Sequence, residues 1–482
     1  MRVRATGGSP RGAAPLGRSS YLVVAKSSAA ADLGDSTQPA SLTPVIWAVV
    51  IASFGAFAFG YHCGIVNGPL NAIAADLGFA GNAALQGTVV SSLLAGAAVG
   101  SLAGSGLADS LGRKTALLLD AVPLLVGALV SGTASSLTAM VMGRVFCGIG
   151  IGLASALVPL YISEIAPSRV RGALGSVNQL VICIGIVSAL VVNVVLPQTS
   201  WRTMFYLASL PALLLGLGLS ITPESPRWLS SKGRTTEAEA AAEKLWGPSG
   251  PSELTQGTKT DVEGGAATAP APVSMKELLS NKGVFIGCMI FLLQQFSGVN
   301  SVVYFSSSVF AKAGITNAAL ASVGVQVMNV LMTVVAASLM DRAGRKQLLT
   351  ISFSGMGLSM LAMATGLHLK QLASMSSTIA IVGTVAYMVF FALGAGPVPG
   401  LLVPEITPAR LRGRAVSLAL AVHWVFNYGI GQLFLPAVDA VGVSGVYLVF
   451  ALVCAFTVVF ANTQIPETKG KSLDEIEAEM KA

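Results

Sequence analysis

Between Pro44 and residue 463 the chain is assembled from twelve apolar runs of roughly 18–25 residues, separated by short polar breaks. Run length is what decides the fold. About 20 helical residues cross the hydrocarbon layer of a bilayer. No water is available there, so the backbone groups of each run must pair within it, which commits the runs to helix. The spacing predicts spans near 45–66, 85–108, 115–134, 137–161, 174–196 and 202–221, then 283–311, 317–340, 346–367, 377–404, 414–437 and 442–463. Hydrophobic residues make up 53% and charged residues 11%, against about 25% charged in soluble domains. The expected fold is an all-α membrane protein with twelve transmembrane helices in two six-helix bundles, 44–221 and 283–463. A linker with helices, 222–282, joins them, and a leader (1–40) and a tail helix (464–482) flank them.

The two bundles repeat each other. Residues 107–115 read LADSLGRKT and residues 339–347 read LMDRAGRKQ. Residues 162–172 read ISEIAPSRVRG and residues 403–413 read VPEITPARLRG. Lys346 follows Lys114 by 232 positions, and Glu405 follows Glu164 by 241. A membrane protein made of two such halves is by default a carrier that rocks around a central site.

Basic residues fix the orientation. Arg113/Lys114, Arg169/Arg171, Arg345/Lys346 and Arg410/Arg412/Arg414 all follow even-numbered spans, and the linker adds Arg227, Lys232 and Arg234. These loops therefore share one face with both termini. The net charge of +7 is accounted for by this pattern and is not a nucleic-acid signal. Five cysteines lie inside apolar runs and three histidines are scattered over three spans. No disulfide framework, metal site, cofactor or catalytic cluster is expected, and the chain is not read as an enzyme.

Outside the spans the composition changes. The leader holds Arg2, Arg4, Arg11, Arg18 and Lys26 with no acid before Asp32 and no apolar core, which reads as an organelle transit peptide; a basic tail is the alternative. In the linker, 235–246 (TTEAEAAAEKLW) reads as a helix and 247–273 as disordered. The tail, 472–482, reads as a short acidic helix against the basic face.

The motifs FGYHCG (59–64), DSLGRK (109–114), GRVFCGIGIG (143–152), PLYISEIAPSRVRG (159–172), NQL (178–180), PESPRWL (223–229), QQFSGVN (294–300), DRAGRK (341–346), GPVP (396–399) and PETKG (466–470) stand in order along the chain. With them the chain resembles the sugar porters of the major facilitator superfamily over nearly all of residues 44–475. Within that family it looks most like plastidic glucose transporters, on His62, GAGPVPGLLVPEI (394–406), VHW (422–424) and the leader. The resemblance implies the major facilitator fold and alternating access. It also implies a hexose substrate, most of all glucose, and a plastid inner envelope location.

A hexose offers hydroxyls that need paired donors and acceptors, which amides supply, and a C–H face that suits an aromatic plane. The candidate amides are Gln179, Gln294, Gln295, Asn300, Asn329 and Asn427. An isolated membrane Asn more often bonds a neighbouring helix. The Gln294–Gln295–Asn300 cluster is different, because several amides converge there. On an ideal helix Gln295 and Asn300 lie about 140° apart, so Ser297 and Gly298 are expected to unwind span 7. Gly394-Ala395-Gly396-Pro397 and Pro399 predict a second break in span 10, with a static kink as the alternative. Trp424 is the candidate stacking platform and Phe59 a second wall. The family's Trp after GPxP is Gly400 here, which puts a two-sided aromatic cage in doubt. The resemblance makes Tyr304 an occluding gate; an interfacial aromatic is the other reading.

Two further groups concern motion. Asp109, Arg113, Glu164 and Arg171, with Asp341, Arg345, Glu405 and Arg412, offer facing charges that the family uses as a latch on the basic face. Proton-coupled members carry an Asp at the position of His62, paired with the Arg that matches Arg144. A carboxylate releases the Arg by taking up a proton, whereas an imidazole gains charge. Facilitated diffusion is therefore expected; the alternative is proton symport through His62 by another scheme. A non-transporting sugar sensor is the remaining competitor. The expected partners are a small sugar and the lipid bilayer, not nucleic acid, and the protein is expected to be monomeric.

Overall fold

The computed structural model describes residues 42–482 except 168–169, 262–273, 341–342, 409, 472–474, 477–478 and 481–482, and omits a few side chains, Arg171 among them. The expected transit peptide, Arg169 and Asp341 thus lie outside the described residues. Within them the chain is helical. Spans 1 to 6 are Thr43–Gly64, Ala83–Leu111, Arg113–Gly132, Leu137–Ile165, Arg171–Val195 and Gln198–Ile221. Spans 7 to 10 are Lys282–Lys312, Ala318–Met340, Arg345–His368 and Ser376–Ile406.

The last two spans are joined by a turn with hardly any loop. They are two helices that follow one another within Arg412–Gln464, a stretch of 53 residues. A straight helix of that length would extend about 80 Å, far beyond a bilayer. The stretch turns at Gly442, whose φ of 75° and ψ of 166° are not helical. Spans 11 and 12 are the stretches before and after that residue.

Polar caps start several spans. The side chains of Asn82, Ser136 and Asn281 accept from the backbone N–H groups of Leu85, Ala139 and Val284, each satisfying a donor that the first turn leaves orphaned. Small residues set the packing. A Cβ on Gly100 would collide with the Ile149 carbonyl oxygen, and one on Gly148 would collide with that of Leu93. Spans 2 and 4 thus meet backbone to backbone, as small-residue seams in membranes do.

Spans 7 and 10 are both broken, where the residues predict it. Span 7 consists of Lys282–Phe296 and Val299–Lys312, with Gly298 between them at φ 94°. Span 10 passes through a π-helical turn, Phe391–Ala395, before Val398–Ile406.

The linker is more ordered than its composition indicates. Helices Pro226–Ser231, Thr235–Trp246, Gly250–Asp261 and Met275–Ser280 occupy it. Gly250–Asp261 corrects the expectation of disorder from 247. Gly250 lies so close to the Ala242 backbone that a Cβ would collide with its carbonyl oxygen, and Leu254 is buried. Tertiary packing outweighs a weak helix composition there. The remainder of that stretch, 262–273, is outside the described residues.

Candidate functional site

The break in span 7 gathers the central amides. Gln294 and Gln295 close its first half, and Asn300 lies in the first turn of the second. Asn300 Nδ2 donates to Gln295 Oε1 at 2.6 Å, Gln295 Nε2 to Gln294 Oε1 at 3.0 Å, and Gln294 Nε2 to the Ala395 carbonyl at 2.6 Å. The two broken spans are therefore joined at their breaks. The π turn that presents Ala395 is held by Ser352, whose Oγ accepts from Ala395 N–H and donates to the Phe390 carbonyl. Gln295 Nε2 also lies 2.8 Å from His423 Nδ1.

The aromatic wall spans both halves. The Trp424 and Phe59 rings stand 5.4 Å apart at 50°. Trp424 is 1% exposed, yet its Nε1 has no hydrogen-bond partner. A buried indole N–H without an acceptor is costly and is available to a ligand oxygen. Gly400 faces open space, with nothing within 4 Å of a Cβ placed there. The wall is thus built from Trp424 and Phe59 without a contribution from that position.

Not all candidate amides join this cluster. Gln179 and Asn329 meet instead on Cys183, each donating to its sulfur at 3.6 Å, along the seam of spans 5 and 8. Asn427 accepts from the Tyr304 hydroxyl at 3.3 Å. Tyr304 is buried and not exposed at an interface.

His62 and Arg144 are both fully buried in the N-terminal half. Their contact is not between ring and guanidinium. Arg144 Nη1 donates to the His62 backbone carbonyl at 2.9 Å and Nε to that of Val89 at 3.2 Å, while both His62 ring nitrogens lack partners. Any residue at position 62 supplies that carbonyl.

At the face opposite the basic loops two amides seal the halves together. Asn67 donates to the Val303 carbonyl and to Ser306 Oγ and accepts from Ser307 N–H. Gln432 accepts from Ser91 Oγ at 2.8 Å and donates to the Ala84 carbonyl at 3.0 Å. Among the described residues no hydrogen bond or ion pair joins span 4 to span 10 at the basic face.

There the charged cassettes pair inside their own halves. Arg113 bonds Glu164 and Asp109, and Arg345 bonds Glu405. Among the described residues these pairs stay within their halves, because each Glu ends its own half's fourth helix beside that half's cassette; Arg169, Asp341 and the Arg171 side chain lie outside the described residues. The Arg412 Nε is buried without a partner. The repeat goes further than the sequence revealed. Glu224 accepts from the N–H groups of Arg113 and Lys114, and Ser225 Oγ donates to Glu164. Glu467 accepts from Arg345 N–H, and Thr468 Oγ1 donates to Glu405. PES and PET are thus equivalent caps. Linker helices dock here too, through Trp228 Nε1 on the Asp109 carbonyl, Trp246 Nε1 on that of Ile165, and the Arg410–Glu277 ion pair.

Sequence reasoning missed His423, Asn67, Gln432 and the Glu224/Glu467 caps. The signals were motif membership alone: His423 stands in VHW, Glu224 in PESPRWL and Glu467 in PETKG.

Two six-helix bundles around a shared polar site, with two broken helices meeting at it, define a membrane carrier of the major facilitator superfamily. The chain matches the family described as Sugar (and other) transporter over residues 48–480 and belongs to it. It is 50% identical over 431 residues, 89% of this chain and 79% of the relative, to plastidic glucose transporter 4 of Arabidopsis thaliana. It is 37% identical over 438 residues, 90% and 96%, to the glucose transporter GlcP of Staphylococcus epidermidis. Among solved structures it is similar to the inward-open xylose transporter XylE of E. coli, with a TM-score of 0.77, 29% identity, and coverage of 90% and 99%.

Proposed function

We propose that this protein carries a hexose, glucose foremost, across the plastid inner envelope by alternating access, as facilitated diffusion. The observation that carries the reading is the convergence of Gln294, Gln295 and Asn300 beside the Trp424–Phe59 wall. Amides supply the mixed donors and acceptors that a polyol needs, and the ring plane suits its C–H face. In this reading the Asn67 and Gln432 seal holds the outer end shut while the site is reached from the basic face. Reversing the motion breaks that seal and closes spans 4 and 10. The names of the relatives support glucose and the plastid, and the leader's composition supports import.

Uncoupled transport is favoured by the backbone contact of Arg144. A proton on the His62 ring changes no bond that Arg144 makes. The test is labelled glucose uptake into proteoliposomes with and without a pH gradient. Uptake that stops at equal concentrations in both cases fits the reading. Accumulation above equilibrium, abolished by an ionophore, contradicts it in favour of symport, and sugar binding without flux favours a sensor.

A further inference from the structure

The central amides form a chain with a direction. The Ala395 carbonyl has no proton to give, so Gln294 must turn its nitrogen toward it and its oxygen toward Gln295. Gln295 must then give its nitrogen to Gln294 Oε1, and that same nitrogen faces His423 Nδ1 at 2.8 Å. An amide nitrogen only donates, so Nδ1 accepts. A neutral imidazole that accepts at one nitrogen carries its proton on the other, so His423 bears it on Nε2. Two aromatic contacts hold the ring: Phe291 at 5.5 Å and Trp424 at 4.9 Å, both edge-on.

This arrangement uses both N–H groups of Gln295, one on Gln294 Oε1 and one on His423 Nδ1. What Gln295 has left for a ligand is a lone pair on Oε1, whose other contact is Asn300 Nδ2. The amide therefore asks for a hydroxyl that donates. Without an acceptor at position 423, one Gln295 N–H is freed and the amide can also meet a group that accepts.

We propose that His423 is a positioning residue which, through Nδ1, takes up the second N–H of Gln295, leaves that amide only its Oε1 for the ligand, and thereby sets the hydroxyl pattern that the sugar site selects. This rests on the sugar-transport reading. The role is indirect: His423 acts on Gln295, and Gln295 acts on the ligand.

Amide substitutions separate the two ring nitrogens. An Asn side chain places its oxygen where Nδ1 stands, whereas a Gln reaches the position of Nε2. Full-length parent, His423→Asn, His423→Gln and His423→Leu are reconstituted and assayed for equilibrium exchange of labelled glucose, with each monodeoxyglucose as competitor. Monodisperse elution checks folding, and the Asn/Gln pair decides the matter even if the Leu variant does not fold. Expected is that His423→Asn stays within about threefold of the parent KM and keeps its ranking of deoxy sugars. His423→Gln should raise KM about tenfold, the size of one lost hydrogen bond, with a smaller change in maximal rate. It should also come to discriminate against a second deoxy sugar, the one lacking the hydroxyl that accepts from the freed Gln295 N–H. Rescue by Gln and not by Asn would overturn the proposal in favour of direct sugar contact through Nε2. An unchanged deoxy-sugar ranking in all variants would overturn it as well. A parent protein that exchanges no hexose sinks the transport reading itself, an outcome seen in the parent alone.

Discussion

Asn67 accepts the Ser307 backbone N–H at 3.0 Å, so a side chain just past the outer end of span 1 is tied to the outer half of span 7. The same amide donates to Ser306 Oγ at 3.0 Å. One residue of the N-terminal half thus bonds the C-terminal half through both its oxygen and its nitrogen. Span 7 is the helix broken beside the central amides, so the seal and the site share an element.

Replacing Asn67 with Ala should therefore favour the conformation open at the outer end. Each lost bond is worth about 0.5–1.5 kcal/mol, and losing all three shifts a two-state equilibrium by roughly 10–2000-fold. Alkylation of a single cysteine placed at Val303, in a background without other cysteines, should quicken in the Asn67→Ala protein. An unchanged rate would show that Asn67 does not hold the seal.

The repeat makes a paired prediction. Glu224 caps the start of span 3 through the N–H groups of Arg113 and Lys114, and Glu467 caps span 9 through that of Arg345. Glu224→Ala and Glu467→Ala should each cost about 1–2 kcal/mol, as other lost caps do. Thermal unfolding of the detergent-solubilised protein should show a lowered midpoint for both. A loss in one and none in the other would contradict their equivalence.

Gly442 tests the turn between spans 11 and 12. Its φ is 75° and no atom stands within 4 Å of where a Cβ would lie, so Ala there meets backbone strain and no steric clash. The Gly442→Ala variant should lose roughly 1–2 kcal/mol of stability. Asn, which tolerates positive φ better, should lose less. Equal midpoints for Gly, Ala and Asn would mean that the turn does not depend on this conformation.

These positions show what the chain reveals in one dimension. Span lengths, the cassette repeat and both helix breaks were legible, because each depends on local composition: apolar length, and Gly, Ser or Pro at the interruption. The convergence of Gln294, Gln295 and Asn300 followed from the break in span 7. Partners distant in sequence were not legible. Nothing local marks Asn67 for Ser307, Gln432 for Ser91 or His423 for Gln295, since those pairs exist only once helices 100 or more residues apart are packed. Arg144 shows the opposite error. Its proximity to position 62 was legible, but the bond runs to the backbone and not to the side chain that the motif singles out. The helix at Gly250–Asp261 escaped because close packing on Thr235–Trp246 overrides a composition rich in Gly and Thr.

The central claim is that a sugar is moved past the amides at the span 7 break, and counterflow tests it most directly. Proteoliposomes preloaded with unlabelled glucose are diluted into trace labelled glucose, for the parent and for Gln295→Ala. The parent should show a transient overshoot of label inside the vesicles, and Gln295→Ala, folded by elution profile, should lose it or need at least about tenfold more sugar. An overshoot of equal size and affinity in both proteins would contradict the site at the span 7 break, and its absence in the parent would contradict transport.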